Sequence, residues 1–350
     1  FLAHQGGAVE AQVAGILKDD ALVSRATQGE MVQVVLDRTA FYGEAGGQVG
    51  DTGYLRGQEV ELEVLDTKRA EGFFLHHAKV LKGTLKPGIR LQCQVDLERR
   101  KAISRSHTAT HLLHHVLRKM IGDHAEQAGS QVAPDRLRFD FHHFQSLTKE
   151  ELIKVEDMVN GCIREDAPVA AEEMPIEEAR KRGAIALFGE KYGERVRLVD
   201  IGGYSKEFCG GIHLQRSGEV GLFKLASEGS AAAGIRRIEA LTGPAALQRV
   251  RETEEVLERL SATLKVPGGA VLQRVEVLLG EMKRLEKGTM GDQLRDFTAE
   301  GLLKEAREVN GVRVIVQKLE ALRVDDLRKI IDYIKGMPSM AAVLGTKEDG

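Results

Sequence analysis

The chain has 350 residues, 29% of them charged, and a net charge of -3; that length allows two or three domains and at least one large core, and the near-neutral balance excludes binding of nucleic acid through gross positive charge while leaving room for a local basic patch. Three cysteines exclude a disulfide framework and point to a reducing, cytoplasmic compartment. No apolar run is long enough to span a membrane, and no secretory signal is present.

Phe1 opens the chain without a methionine, which reads as a segment of something longer. Residues 8–100 read as strands: "MVQVVLDRTAFY" and "GIRLQCQVDL" alternate apolar and polar residues, with Gly-rich turns between the runs. Many short strands with little helix predict a small β-barrel over residues 1–100. Helical periodicity runs from near Lys101 to Ile121, and a second helix starts at Thr148, where "TKEE" has the form of a capping box. Its apolar face is Leu152, Val155, Val159 and Cys162. Mixed strands and helices continue to Gly243, giving an α+β domain over 101–243. The texture then changes. Leu247, Val250, Leu257, Leu260 and Leu264 form one stripe, "VPGG" at Val266–Gly269 breaks it, and Val275, Leu278, Met282 and Leu285 form a second. This predicts an antiparallel helical linker over 244–310, joining domains or meeting a partner. After Gly311, "VRVIV", "DLRKIIDYIKG" and "MAAVLG" read strand, helix, strand, the start of a further α/β unit over 311–350. The overall class is α+β.

"HTATH" places His107 and His111 one helical turn apart, so both rings can reach one ion. Alone, the pair reads equally as two polar residues facing water. The cysteines help to find a second pair. Cys93 lies in the alternation Ile89, Leu91, Cys93, Val95, and Cys162 lies on an apolar helix face; both read as core thiols. Cys209 differs: it begins "CGGIH", where glycines allow a tight turn and let thiolate and imidazole converge from a loop. His107, His111, Cys209 and His213 together offer a His3Cys set of borderline-soft donors suited to Zn2+. His114 is seven residues beyond His107, about 10 Å along a helix, so it and His115 read as a polar helix face. His142 and His143 read as structural. A metalloprotease helix would carry a glutamate between its histidines; Thr108 and Thr110 stand here instead, which argues against a peptidase.

Four motifs, "AFYGEAGGQVGDTG", "RSHTATHLLHHVLR", "CGGIHL" and "AAGIRRIEALTG", occur in an order and at separations that resemble the editing half of the alanyl-tRNA synthetase family, shared with the AlaX trans-editing proteins. The resemblance covers nearly the whole chain. The helical linker and the C-terminal α/β unit favour the synthetase over AlaX. The aminoacylation motifs of class II synthetases are absent from these residues. One departure is Ile212, where the family usually has threonine; it lies between ligands and is not one.

The resemblance implies hydrolysis of the ester in Ser-tRNA(Ala) and Gly-tRNA(Ala), with the acceptor end of tRNA(Ala) as partner and zinc positioning the terminal adenosine and its ester. The need is physical: a pocket for alanine cannot exclude glycine and discriminates poorly against serine, which only adds a hydroxyl. The resemblance makes Gln48, in the "AGGQ" turn, a residue that orients water or the ester, and Thr39, in "RTAFY", a contact for the serine hydroxyl. Cys209 would anchor the metal and its loop. Arg236 and Arg237 in "GIRRIEALTG", and Arg105 in "ERRKAISR", are candidates for tRNA phosphates; "ARKR" at Ala179–Arg182 reads as a solvated charged face. The rival reading is a structural-zinc module that binds tRNA without chemistry. The linker and the C-terminal unit are surfaces through which copies could associate.

Overall fold

The computed structural model describes residues 1–185, 193–296, 299–320 and 324–347. The described fold is mixed α+β and divides into two units, Phe1–Thr253 and Glu254–Gly350.

The first unit begins with a closed barrel of six antiparallel strands. Their order round the barrel is Ala8–Lys18, Met31–Leu36, Phe73–Lys82, Glu61–Ala70, Gly53–Arg56 and Arg90–Val95, and the last pairs back with the first. Closure leaves no open edge. The alternation seen in the sequence is the reason: Ile16, Val34, Leu55, Leu62, Ala78, Val80 and Cys93 all point inward and are fully buried.

Helix α1 (Leu97–Ile121) leaves the barrel directly. It starts four residues before the apolar periodicity does, because Asp96 caps it by accepting from the Arg99 backbone N–H at 3.0 Å. Arg100 of its first turn is buried and donates to Asp51 and to the carbonyls of Ala3, Gly6 and Ala40, which ties helix to barrel. Helix α2 (Lys149–Arg164) carries the expected capping box between Thr148 and Glu151. Both helices pack on a four-stranded sheet ordered Gln127–Val132, Leu137–His142, Ile235–Thr242, Phe223–Ala232. The core between them holds Leu112, Leu113, Val116, Phe139, Phe141, Val155, Val159 and Ile238. A three-stranded antiparallel sheet, Val169–Pro175, Arg195–Ile201 and Ser205–Phe208, delivers the chain to Cys209.

A helix spans Gly243–Leu264, ends where Lys265 takes a φ of 55°, and is followed by a second at Val271–Asp296. The apolar stripes are exposed at Leu247, Leu257, Leu260 and Met282. In the second unit, Val312–Glu320 pairs parallel with Met340–Lys347 across the helix Val324–Lys335, and Arg307–Val309 adds an antiparallel edge. Parallel pairing needs such a crossover.

Candidate metal centre and adjoining cleft

The donor atoms of His107, His111, Cys209 and His213 lie within 4.8 Å of one another. Helix α1 supplies the first two on one face. The loop after the strand Ser205–Phe208 supplies the others, and Cys209 Sγ sits 3.3 Å from Nε2 of both His107 and His213. Tetrahedral zinc with nitrogen and thiolate ligands has ligand–ligand edges of roughly 3.5 Å, so the spacing fits such an ion.

The rings are oriented from behind. Gln48 Oε1, an acceptor only, lies 2.8 Å from His107 Nδ1 and also accepts the Ile212 backbone N–H at 2.9 Å. Thr108 Oγ1 lies 3.3 Å from His213 Nδ1 and accepts from the Leu214 N–H at 3.2 Å. Glu207 Oε2 lies 3.1 Å from His111 Nδ1. With Nδ1 of His107 and of His213 directed to an oxygen, their Nε2 atoms are left with the lone pair toward the centre, the tautomer a metal ligand needs. The loop is braced as well: Arg197 Nη1 donates to the carbonyls of Cys209 and Gly211, both at 2.9 Å. Burial opposes ionisation of Cys209, yet the neighbouring His107 and His213 hold its thiol well below the usual range, as a thiolate ligand requires. Burial together with His107 pushes His213 down to about 3, whereas Glu207, against burial, pushes His111 up to about 10.

Neither glycine of "CGGIH" takes a positive φ, so the loop turns without left-handed backbone there. Gly211 is required for a different reason. A side chain there would overlap the His107 ring and lie 2.9 Å from Gln48 Oε1. Gly210 is exposed, with nothing within 4 Å of an added Cβ.

A cleft of about 360 Å3 opens beside the cluster; besides His107, His111, Cys209 and Glu207 its lining includes Thr110, Gly210 and Gly211, the segment Tyr42–Gly46 in part, Gln127 and Ser130, the rings of Phe1, Phe74 and Phe208, and Arg69.

Residues 1–99 match the family model of class II (A) tRNA synthetases, and residues 196–239 match the threonyl and alanyl tRNA synthetase second additional domain. Over 99% of its length the chain is 45% identical to the alanine--tRNA ligase of Acetivibrio thermocellus, and over all of it 45% identical to that of Myxococcus xanthus. The alanine--tRNA ligase of Alkaliphilus oremlandii is 44% identical over 96% of the chain.

The chain belongs to the alanyl-tRNA synthetase family.

It spans about 40% of the length of these relatives. Within this alanyl-tRNA synthetase region, the first matched segment covers the barrel with Gln48, and the second carries Arg197, Glu207, Cys209 and His213. The histidines of α1 lie between the two.

The other residues singled out in the sequence fall as follows. Gln48 is wholly buried beneath His107 and does not line the cleft, so its side chain holds a ring rather than facing water. Thr39 is also buried and away from the cleft; its hydroxyl accepts from the Phe41 N–H and lies 2.8 Å from His76 Nε2 inside the barrel. Arg236 is bonded to Glu228 at 2.6 Å, and Arg237 makes two bonds to Asp140 at 2.7 and 2.8 Å, so both arginines are paired with carboxylates. Arg105 is half-buried near Gly243 and has no carboxylate partner among the described residues. Arg182 pairs with Glu172 and Glu178, as a solvated charged face would. Cys93 is in the barrel core, and Cys162 packs against the α1–α2 core. His114 is not on a water-facing helix side: it is 2% exposed, with Nδ1 3.1 Å from Glu207 Oε1. His115 lies over the Tyr204 ring.

The sequence reading missed Glu207, Thr110, Gln127, Ser130 and Arg197. For Glu207 a signal existed: it stands two residues before Cys209, so at strand spacing the two share a face.

Proposed function

We propose that this region hydrolyses the ester of Ser-tRNA(Ala) and Gly-tRNA(Ala), with Zn2+ held by His107, His111, Cys209 and His213. The observation that carries the reading is a cluster of four donors suited to zinc, opening on a cleft whose lining combines glycines, the hydroxyl residues Thr110 and Ser130, aromatic rings and Arg69. Zinc, when bound, supplies a Lewis-acid centre beside that cleft. The chain's own residues do the rest. Gln48, Thr108 and Glu207 fix the rings. Gly210 and the turn Gly43–Gly46 allow an aminoacyl ester to approach backbone closely.

Selection falls to the hydroxyls. Thr110 donates to the Ser106 carbonyl at 2.8 Å, so its oxygen lone pairs remain to accept from a serine hydroxyl in the cleft. Ser130 and Gln127 face it from the opposite wall. A hydroxyl-bearing substrate that satisfies such a group gains about 1–3 kcal/mol over alanine, which leaves it unpaired. That margin spares the correct product. Glycine is accepted on size. Orientation is sufficient for this reaction because an ester needs less activation than an amide. Arg105, without a carboxylate partner among the described residues, is the least committed of the three arginines named for tRNA phosphates, and the proposed setting is cytoplasmic.

The test is deacylation. The chain is expected to release serine from Ser-tRNA(Ala) and leave Ala-tRNA(Ala) intact, and Cys209→Ala is expected to lose both zinc and activity. Tight binding of tRNA(Ala) by a zinc-loaded chain that releases no serine would replace this reading with that of a structural-zinc binding module.

A further inference from the structure

Glu207 raises a question that metal ligation alone does not answer. It is a carboxylate 4% exposed, deep between α1 and the strand Ser205–Phe208. No lysine or arginine pairs with it among the described residues. Its two oxygens are divided: Oε2 lies 3.1 Å from Nδ1 of the ligand His111, and Oε1 lies 3.1 Å from Nδ1 of His114, with the Ser205 hydroxyl donating to Oε1 at 3.4 Å. His111 and His114 stand one turn apart on α1, so one carboxylate stands against two rings of the same helix face, hydrogen-bonded to His114 and in ion-pair range of His111.

A buried carboxylate with no lysine or arginine against it is costly, because burial disfavours the ionised form by several kcal/mol. Leucine here would pack as well without that cost. Part of the compensation comes from the two imidazoles, which against its burial hold Glu207 well below the usual carboxylate range, and the rest from what lies beyond His111. A dication at the cluster supplies it through the imidazole: the carboxylate fixes the ring with Nε2 inward and makes that nitrogen a stronger donor. Gln48 and Thr108 perform the first task for His107 and His213 with neutral oxygens. Glu207 is the one of the three that brings charge.

We infer that Glu207 is a positioning residue that sets how tightly the centre retains its metal, and that His114 is its second anchor rather than a ligand. The inference rests on the metal reading above and adds to it a residue outside the ligand set. His114 holds the other oxygen so that the carboxylate cannot rotate away from His111. Its ring packs on Phe139 at 5.3 Å between centroids, which keeps that anchor rigid.

The experiment measures zinc dissociation by competition with a chromogenic chelator, on the parent chain, Glu207→Gln and His114→Gln. Cobalt substitution gives a second readout, since the thiolate-to-cobalt band reports whether Cys209 still ligates. Glutamine keeps the size and an acceptor oxygen but removes the charge. Glu207→Gln is expected to bind zinc about 10–100-fold more weakly, with the thiolate band retained. His114→Gln is expected to weaken binding by a smaller factor in the same direction. Zinc affinity of Glu207→Gln within twofold of the parent, or loss of the thiolate band in His114→Gln, would overturn the assignment. Should Glu207→Gln fail to fold, the His114 variant decides alone, by the same affinity measurement. A parent chain that binds no zinc refutes the metal reading itself, a result distinct from parental affinity in the Glu207 variant.

Discussion

Gly211→Ala perturbs the centre at its tightest point. The added Cβ would occupy space now filled by the His107 ring and would lie 2.9 Å from Gln48 Oε1. To restore ordinary contact the ring must move by about 1 Å or more, given that overpacked groups in a filled site shift rather than compress. Such a shift breaks the 2.8 Å contact between His107 Nδ1 and Gln48 Oε1. Gln48 Oε1 keeps the Ile212 N–H, so the group left without a partner is the buried His107 Nδ1–H. An unsatisfied buried group costs about 1–3 kcal/mol and overpacking adds about 1–3 kcal/mol. Both costs fall mainly on the metal-bound state. A loaded site requires the ring where the Cβ would be, whereas an unloaded ring can turn aside. Even the lower sum, about 2 kcal/mol, weakens zinc binding roughly 30-fold. Gly210→Ala is the internal control, because its Cβ meets nothing within 4 Å and its backbone is not left-handed. The assay is chelator competition on both variants, with circular dichroism to confirm the fold. Equal zinc affinity in the two variants would refute the reasoning, since it would mean that the His107 ring does not occupy the place against Gly211 that ligation demands.

Two further outcomes follow from groups away from the cleft. Cys93→Ala is expected to cost about 1 kcal/mol by leaving a small void in a filled core without altering zinc content; zinc loss in this variant, measured by metal analysis, would show that the wrong thiol has been excluded. Burial pushes His76 down to about 4, below its ordinary 6.5. The neutral ring therefore stabilises the fold fully above pH 6.5, and that contribution is lost as pH falls through 6.5 toward 4, up to about 3 kcal/mol; urea midpoints should fall less between pH 7 and 4.5 for His76→Gln than for the parent, and parallel pH profiles would reject this.

The barrel strands were legible because each buries one face, which writes period two into the sequence. Their partners were not. Closure depends on Ala8–Gln12 pairing with Arg90–Gln94, some 80 residues apart, and alternation carries no record of which strand lies beside which. The start of α1 was misplaced for a related reason: its first turn, "LERR", is held by the Asp96 cap and by the buried Arg100, and neither contributes to apolar periodicity. The "AGGQ" turn was recognisable, and Gly46 and Gly47 do take left-handed φ of 57° and 80°. Which way Gln48 points was not, because it depends on the arrival of His107 from a helix 59 residues later.

The arginines show how far local sequence reaches at such a site. "GIRRIEALTG" presents two adjacent cations, and adjacency invites a reading as a phosphate grip. On a strand, adjacent residues point to opposite faces, so Arg236 and Arg237 never form one patch. Each is settled by the strand across from it. Asp140 stands directly opposite Arg237 in the ladder and takes it in a two-point bond, while Glu228, on the other neighbouring strand, takes Arg236. Cross-strand pairs of opposite charge stabilise a sheet by about 0.2–1 kcal/mol each, a reason to keep these arginines that has nothing to do with tRNA. Glu207 is the reverse case. Its neighbours in sequence look like an ordinary amphipathic strand, and only the approach of α1 gives its charge a purpose. In both instances the sign of the charge was visible and its use was not, because use is set by the partner that topology delivers. A cation or anion in a strand is therefore assigned to ligand binding only once the residues opposite it are known.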